Sequence, residues 1–266
     1  MKHSRDSEEL HWQKMVDDGL ADFAIPLWRD FCDGLYLRLL NKWLGGRRFE
    51  ATLKTDLFDE AVGVGLANWI CSVSSKMEGI DLMPEIAKRA ADRHPEINTR
   101  QADVRSLEAY PSPCFDLIVS NSTLDHFEDE TDLTRSLKEL ARVLLPGGLL
   151  FVTLDNPQNP IVSIRNRRSS ASPGRSPLVP YFMGRTVPRL ELIRMVEDAG
   201  LTVERSDYLM HLPRVLFLHA SRFFAAGSRP GRGMMALMNS FELLNKLPAR
   251  SRTGHYSAVL ARKPDA

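Results

Sequence analysis

Apolar positions along this chain change period several times, and each change marks an element. From about Glu8 to Leu44, Trp12, Met15, Phe23, Leu27, Trp28, Phe31, Leu35, Tyr36, Leu39 and Leu40 recur at three- and four-residue spacings. This predicts helix, divided near Pro26 and ended by Gly45-Gly46. Strand and helix signals then alternate. Strands are predicted over Leu53–Glu60, Met77–Asp81, Asn98–Asp103, Phe115–Ser120 and Leu149–Leu154. Helices are predicted over Leu66–Ser74, Pro84–His94 and Leu133–Leu144, the last stopped by Pro146-Gly147-Gly148. Such alternation predicts an α/β fold, a doubly wound and mostly parallel sheet with helices on both faces.

After Asp155 the rhythm breaks. Residues 156–187 include Asn156-Pro157-Gln158-Asn159-Pro160 and the run Arg165 to Arg175, too polar and proline-rich for a core, which predicts a long lid loop. Leu190–Ala199 then reads as helix and Leu201–Met210 as strand. Pro213–Ala226 and Met234–Leu247 read as two more helices, and His255–Arg262 as a last strand. The organisation expected is a helical arm over 1–46 and one domain over 47–266, with a helical cap over 212–254 inserted before the last strand.

At 266 residues the chain can bury an ample core, and 43% hydrophobic with 26% charged residues is the balance of an ordinary water-soluble globule. No apolar run reaches the roughly 20 residues that a membrane span needs. The polar start, Met1 to Glu9, does not read as a secretory signal. Cys32, Cys71 and Cys114 have neither disulfide nor zinc spacing, which suits a cytoplasmic protein and leaves no metal site to nominate. The net charge of +1 hides an asymmetry: from Asp155 onward there are 17 Lys and Arg against 8 Asp and Glu, and before it 18 against 26. An acceptor carrying phosphate or carboxylate is one reading of the basic half; arginines on a solvated face are the other.

The chemistry concentrates at Leu57 to Gly65, followed by Gly79-Ile80-Asp81. Read as strand, glycine turn, helix start and a second strand ending in an acid, this is how a doubly wound sheet holds an adenosine. A dinucleotide fingerprint needs a third glycine, and Leu66, Ala67 and Asn68 stand after Gly65 instead. Asp59 and Glu60 would repel a pyrophosphate but suit the amino group of a methionine tail. The expected cofactor is S-adenosylmethionine.

Several segments in register resemble the class I S-adenosylmethionine-dependent methyltransferases, whose fold is Rossmann-like with a seven-stranded sheet. They are the glycine turn, Gly79-Ile80-Asp81-Leu82-Met83-Pro84, Gln101-Ala102-Asp103-Val104, Phe115 to Asn121, and Leu140 to Gly148. The resemblance runs from about Lys54 to Gly148. The family's turn usually has glycine where this chain has Ala61. The resemblance implies that Asp81 and Leu82 address the ribose, and Asp103 and Val104 the adenine. It implies that Asp59 or Glu60, with the backbone around Gly63, Gly65 and Asn121, holds the methionine end.

After the fourth predicted strand, His126 is a candidate general base with Asp125 to orient it, since imidazole titrates near neutrality. His211 and His255 are further candidates on the acceptor side. Asn156-Pro157 follows the fifth strand rather than the fourth, unlike the signature of amino-directed methyltransferases, so Asn156–Asn159 is expected to line the acceptor pocket. The greasy segment from Val215 to Phe224 with Arg214 and Arg222 is either a cap packing on the sheet, or an apolar acceptor pocket or membrane-surface patch. The activity expected is methyl transfer, with oxygen as the expected target, to a small-molecule, glycan or lipid-linked acceptor. An RNA or protein methyltransferase and an inactive cofactor-binding partner are the alternatives. No nucleic acid is expected, because basic residues are not interleaved with stacking aromatics.

Overall fold

A computed structural model describes residues 24–127, 129–171, 184 and 186–265. The predicted arm before residue 24 and residues 172–183 and 185 of the predicted lid lie outside the described residues.

Helix α1 (Pro26–Leu44) opens on a proline and ends on Gly45 at φ 58°. It is followed by β1 (Phe49–Lys54), the short α2 (Phe58–Val62), α3 (Ala67–Val73), β2 (Ser74–Asp81), α4 (Pro84–Arg93), β3 (Asn98–Gln101) and β4 (Phe115–Asn121). A 3₁₀ turn, Leu124–His126, leads into α5 (Glu130–Val143), whose start is capped by Asp129 accepting from the Thr131 amide. Then come β5 (Leu144–Asp155), α6 (Pro160–Ala171), α7 (Arg189–Asp198), β6 (Thr202–Leu209), α8 (Arg214–Ser221), α9 (Arg229–Ser240), a 3₁₀ stretch Phe241–Lys246, α10 (Arg250–Thr253) and β7 (Tyr256–Arg262).

The seven strands lie in the order β3-β2-β1-β4-β5-β7-β6. All pairs are parallel except β5–β7 and β6–β7. Alternate residues of β5 feed the two faces: Leu149 and Phe151 join the core under α1 and the cap, while Leu150, Val152 and Leu154 join the core under α5 and α7. The order reverses between β1 and β4, and the crevice outside the carboxyl ends of those strands is where such sheets bind ligands.

Two expectations need correction. The strand predicted over Leu53–Glu60 ends at Lys54. Asp56 accepts the Phe58 amide at 2.9 Å in the turn before a helix that begins at Phe58. Leu57, Glu60 and Ala61 are buried at helical spacing, so the apolar run belongs to one face of a helix rather than to a strand. Asp59 and Glu60 therefore sit in α2, and Gly63 and Gly65 follow it instead of forming a turn directly on the strand tip. The second correction is α6, which occupies Pro160–Ala171 inside the predicted lid loop. Asn159 starts it by accepting the Ile161 amide at 2.9 Å. In the cap, α9 begins earlier than the apolar spacing suggested, because Ser228 accepts from the Gly231 amide.

Candidate active site at the β1–β4 crevice

Lys54, the last residue of β1, is fully buried, and its ammonium meets the equally buried Glu60 carboxylate at 2.9 Å. It also donates to the Asp56 carbonyl. Glu60 in turn accepts the Leu66 amide at 2.8 Å, so one side chain ties α2 to the strand below and to the start of α3. Gly65, at φ 55°, lies against that carboxylate, and a β-carbon there would collide with it. Gly79 of β2 makes room for the Leu57 side chain in the same way. Gly63 has an extended backbone, and its carbonyl faces the His94 ring at 3.0 Å.

Around this latch the carboxylates outnumber the cations. Asp33, Asp56, Asp59, Glu60 and Asp81 act on one another and on Arg29 and Lys54. Arg29 of α1 pairs with Asp59. Burial opposes ionisation of Asp59, but Arg29 and Lys54 overcome it and hold this carboxyl below its ordinary range. The others lack enough positive charge. Burial, then Asp56, pushes Asp81 up to about 7. Burial, then Asp59, pushes Asp33 up to about 7. Burial raises Asp56 and Glu60 as well.

Asp81 accepts the Leu57 amide at 3.0 Å and the Met83 amide at 2.9 Å, one on each oxygen, which leaves lone pairs on both. Leu82 directs its carbonyl to Gln101. Asp103 is gripped by the guanidinium of Arg105, which also reaches Asp132 at 2.9 Å, while Val104 is buried in the core beneath α5. Asn121 ends β4 with its amide nitrogen 3.5 Å from Asp59, and its buried side-chain oxygen makes no hydrogen bond.

The 3₁₀ turn brings Asp125 and His126 together, with 3.9 Å between Oδ1 and Nε2, although neighbours on an α-helix would diverge. Asp125 Oδ2 accepts the Asp155 amide at 3.1 Å; Oδ1 is buried without a hydrogen bond. Burial, then Asp155, pushes Asp125 up to about 6. His126 acts electrostatically on Asp56 as well, so it stands between the β1 and β5 carboxylates. Asp155, at the end of β5, pairs with Arg165 at 2.8 Å and with His255 at 3.3 Å. These partners overcome burial and hold it well below the usual carboxylate range. Arg214 reaches His255 Nε2 at 3.2 Å from the start of α8, and burial pushes His255 down.

His255 thus joins the acid cluster, whereas His211 bonds Thr253 at 2.7 Å within the cap. Asn156 and Asn159, expected along the acceptor pocket, instead donate their side-chain amides to the carbonyls of Ser251, Thr253 and Gly254. They clamp the cap to the end of β5. Sequence reasoning missed Arg29, Lys54, Asp56 and Arg165. The available signals were a lysine closing an otherwise buried strand and an aspartate two residues after it. Among the described residues no cluster of three His, Cys, Asp or Glu side chains could hold a metal ion, and no helix is long and apolar enough to cross a membrane.

The donor and acceptor set fits S-adenosylmethionine. Surplus carboxylate charge suits a sulfonium and an ammonium, the open lone pairs of Asp81 suit two ribose hydroxyls, and the unpaired oxygen of Asn121 awaits a donor. Fold and site together define a class of α/β protein with an acid-lined crevice at the sheet's switch point, where such sheets bind ligands. The comparisons narrow that class. Residues 61–152 match the family described as Methyltransferase domain. A probable S-adenosylmethionine-dependent methyltransferase of Mycolicibacterium smegmatis is 28% identical over 157 residues, 59% of this chain and 55% of that protein. The trans-aconitate 2-methyltransferase of Methylobacterium nodulans is 34% identical over 136 residues, 49% of this chain and 51% of that protein. The N-methyltransferase NodS of Bradyrhizobium japonicum, solved with S-adenosylhomocysteine, shares the fold at a TM-score of 0.55 and 17% identity, covering 88% of each chain. The chain spans about half the length of the curated relatives it matches. Over residues 61–152 the chain is thus similar to methyltransferase domains, and its fold is that of solved methyltransferases.

Proposed function

We propose that this protein binds S-adenosylmethionine in the β1–β4 crevice and transfers its methyl group to a hydroxyl of a small-molecule, glycan or lipid-linked acceptor in the cytoplasm. The observation that carries the reading is the buried Asp125 Oδ1, without a hydrogen bond and facing the His126 imidazole at 3.9 Å, next to a carboxylate cluster short of positive charge. Asp81 takes the ribose hydroxyls, and Asp59, Asn121 and the backbone between α2 and α3 take the methionine end. Leu82 adjoins the ribose, and Asp103 with the backbone of Val104 addresses the adenine. When bound, the cofactor supplies a methyl group already activated on a sulfonium. The residues of the chain then have to align the acceptor and remove one proton. His126 would take that proton from the acceptor hydroxyl as the methyl leaves sulfur, which becomes a neutral thioether, for oxygen, and Asp125 would stabilise the imidazolium formed. Residues 212–254 cap the acceptor side.

Calorimetric titration with S-adenosylmethionine, S-adenosylhomocysteine and NAD tests the first half. The first two should bind and NAD should not. Asp81→Ala should abolish that binding while the protein stays folded; unchanged affinity would remove the ribose assignment.

A further inference from the structure

The cap that closes the acceptor side is built unlike the rest of the surface. Residues 212–254 contain Arg214, Arg222, Arg229, Arg232, Lys246, Arg250 and Arg252 against a single acid, Glu242. Glu242 is turned inward, accepting the His211 amide at 2.9 Å. The outward-facing charges are thus almost all positive, with Arg222, Arg229, Arg232, Lys246 and Arg252 exposed.

Large apolar side chains stand among them. Phe223 is 85% exposed and Leu216 64%, with Leu237, Leu243 and Leu247 also about half exposed or more. These are not loose ends of a poorly filled core. On α8, Phe217 is buried and stacks edge-on to Phe241 at 5.2 Å, so this helix already has its inner face satisfied. Leu216 and His219 fall at i and i+3 on the exposed side of α8, and Phe223 follows, exposed, in the turn after the helix. Across the described residues only nine large hydrophobics are so exposed, and five of them are in this one segment. A segment that exposes large apolar side chains and cations with no compensating exposed acid has the composition that settles into the headgroup layer of a negatively charged bilayer.

We propose that the cap, residues 212–254, is a docking surface for an anionic membrane. Leu216 and Phe223 enter the boundary between headgroups and acyl chains, and Arg222, Arg229 and Arg232 bind lipid phosphates. The placement connects to the crevice, because Arg214 opens the same α8 and reaches His255 beside Asp155. A protein seated this way takes its acceptor from the lipid surface. Docking itself needs neither cofactor nor transfer, so its test stands apart from that of the proposed reaction.

The test is flotation of the full chain with vesicles of phosphatidylcholine alone and of phosphatidylcholine mixed with phosphatidylglycerol, at low and high salt. Binding is expected on the mixed vesicles, not on phosphatidylcholine alone, and should weaken as salt rises. Leu216→Glu with Phe223→Glu should lower vesicle affinity by about tenfold or more. Independently, Arg222→Glu with Arg232→Glu should lower it by about fivefold per arginine. Circular dichroism checks that each pair stays folded. Absence of binding to the mixed vesicles, or variants that bind like the parent, would overturn the proposal. So would a self-association abolished by Phe223→Glu, or salt-sensitive RNA binding, in a protein that ignores vesicles.

Discussion

Asp125 and His126 carry the proposed proton transfer, and their geometry makes separable demands. Asp125 is buried with one oxygen bound to a backbone amide and the other facing the imidazole. His126→Ala should lower turnover by about 10²–10⁴-fold while leaving S-adenosylhomocysteine affinity nearly unchanged, as steady-state kinetics beside calorimetry would register. Asp125→Asn keeps the shape and removes the charge that stabilises the imidazolium, so the rate should fall. Wild-type turnover in both variants would leave positioning alone to account for the rate. Asp125 could be nominated from sequence because it follows the end of a buried strand. Its value as a partner could not, because adjacency on a helix argues against contact and only the 3₁₀ turn reverses that.

At the scale of elements, the latch joining β1, α2 and α3 rests on the Lys54–Glu60 pair, fully buried on both sides. Removing one partner strands the other in a dry interior. Lys54→Met should therefore destabilise the fold by about 3–5 kcal/mol in urea unfolding, and Lys54→Met with Glu60→Leu should recover most of that loss. A single variant as stable as the parent would show that water reaches the pair. The boundaries of α4, β6 and β7 fall within a residue of those predicted, since α4 buries one regular face and β7 is an apolar run buried along all but its last residue, whereas β2 begins at Ser74, before the predicted Met77. The stretch from Thr55 to Val62 was not, since an eight-residue run with buried positions at both alternating and helical spacings reads either way. The chain leaves the sheet after the Thr55 amide makes its bond to Val119, and Asp56 then turns it by accepting the Phe58 amide.

Across the whole molecule, the shortage of positive charge in the crevice makes stability and binding run in opposite directions with pH. Asp33 and Asp81 titrate at about 7 and Asp125 at about 6 in the fold. In an unfolded chain such groups titrate near 3.9. Between those values the folded state binds more protons than the unfolded one, so the stability these groups contribute is fully present below about pH 4 and is lost as pH rises through about 7. Asp59 and Asp155, both depressed, act oppositely, and their contribution is lost only as pH falls below the ordinary carboxylate range. Thermal melts of the ligand-free protein should therefore show Tm falling between about pH 5 and about pH 8. Affinity for S-adenosylmethionine should rise over the upper part of the same window as Asp81 ionises. A flat Tm profile would mean that these carboxylates are better solvated than their burial implies.

The sequence by itself determined the alternation of strands and helices, the acid at the tip of β2, the class of cofactor and the candidate acid–base pair. These depend on periodicity and on residues near one another in the chain, where local geometry is nearly fixed. Tertiary structure decided which charges neutralise which. Arg29 reaches Asp59 from the preceding helix, Lys54 turns inward to Glu60, and Arg165 meets Asp155 from a helix that polarity had suggested was a loop. It also turned Asn156 and Asn159 from pocket lining into clamps and left Phe223 facing outward. Pairings between distant segments and the exposure of a given apolar side chain follow from how the sheet stacks its layers, which no local pattern of residues encodes.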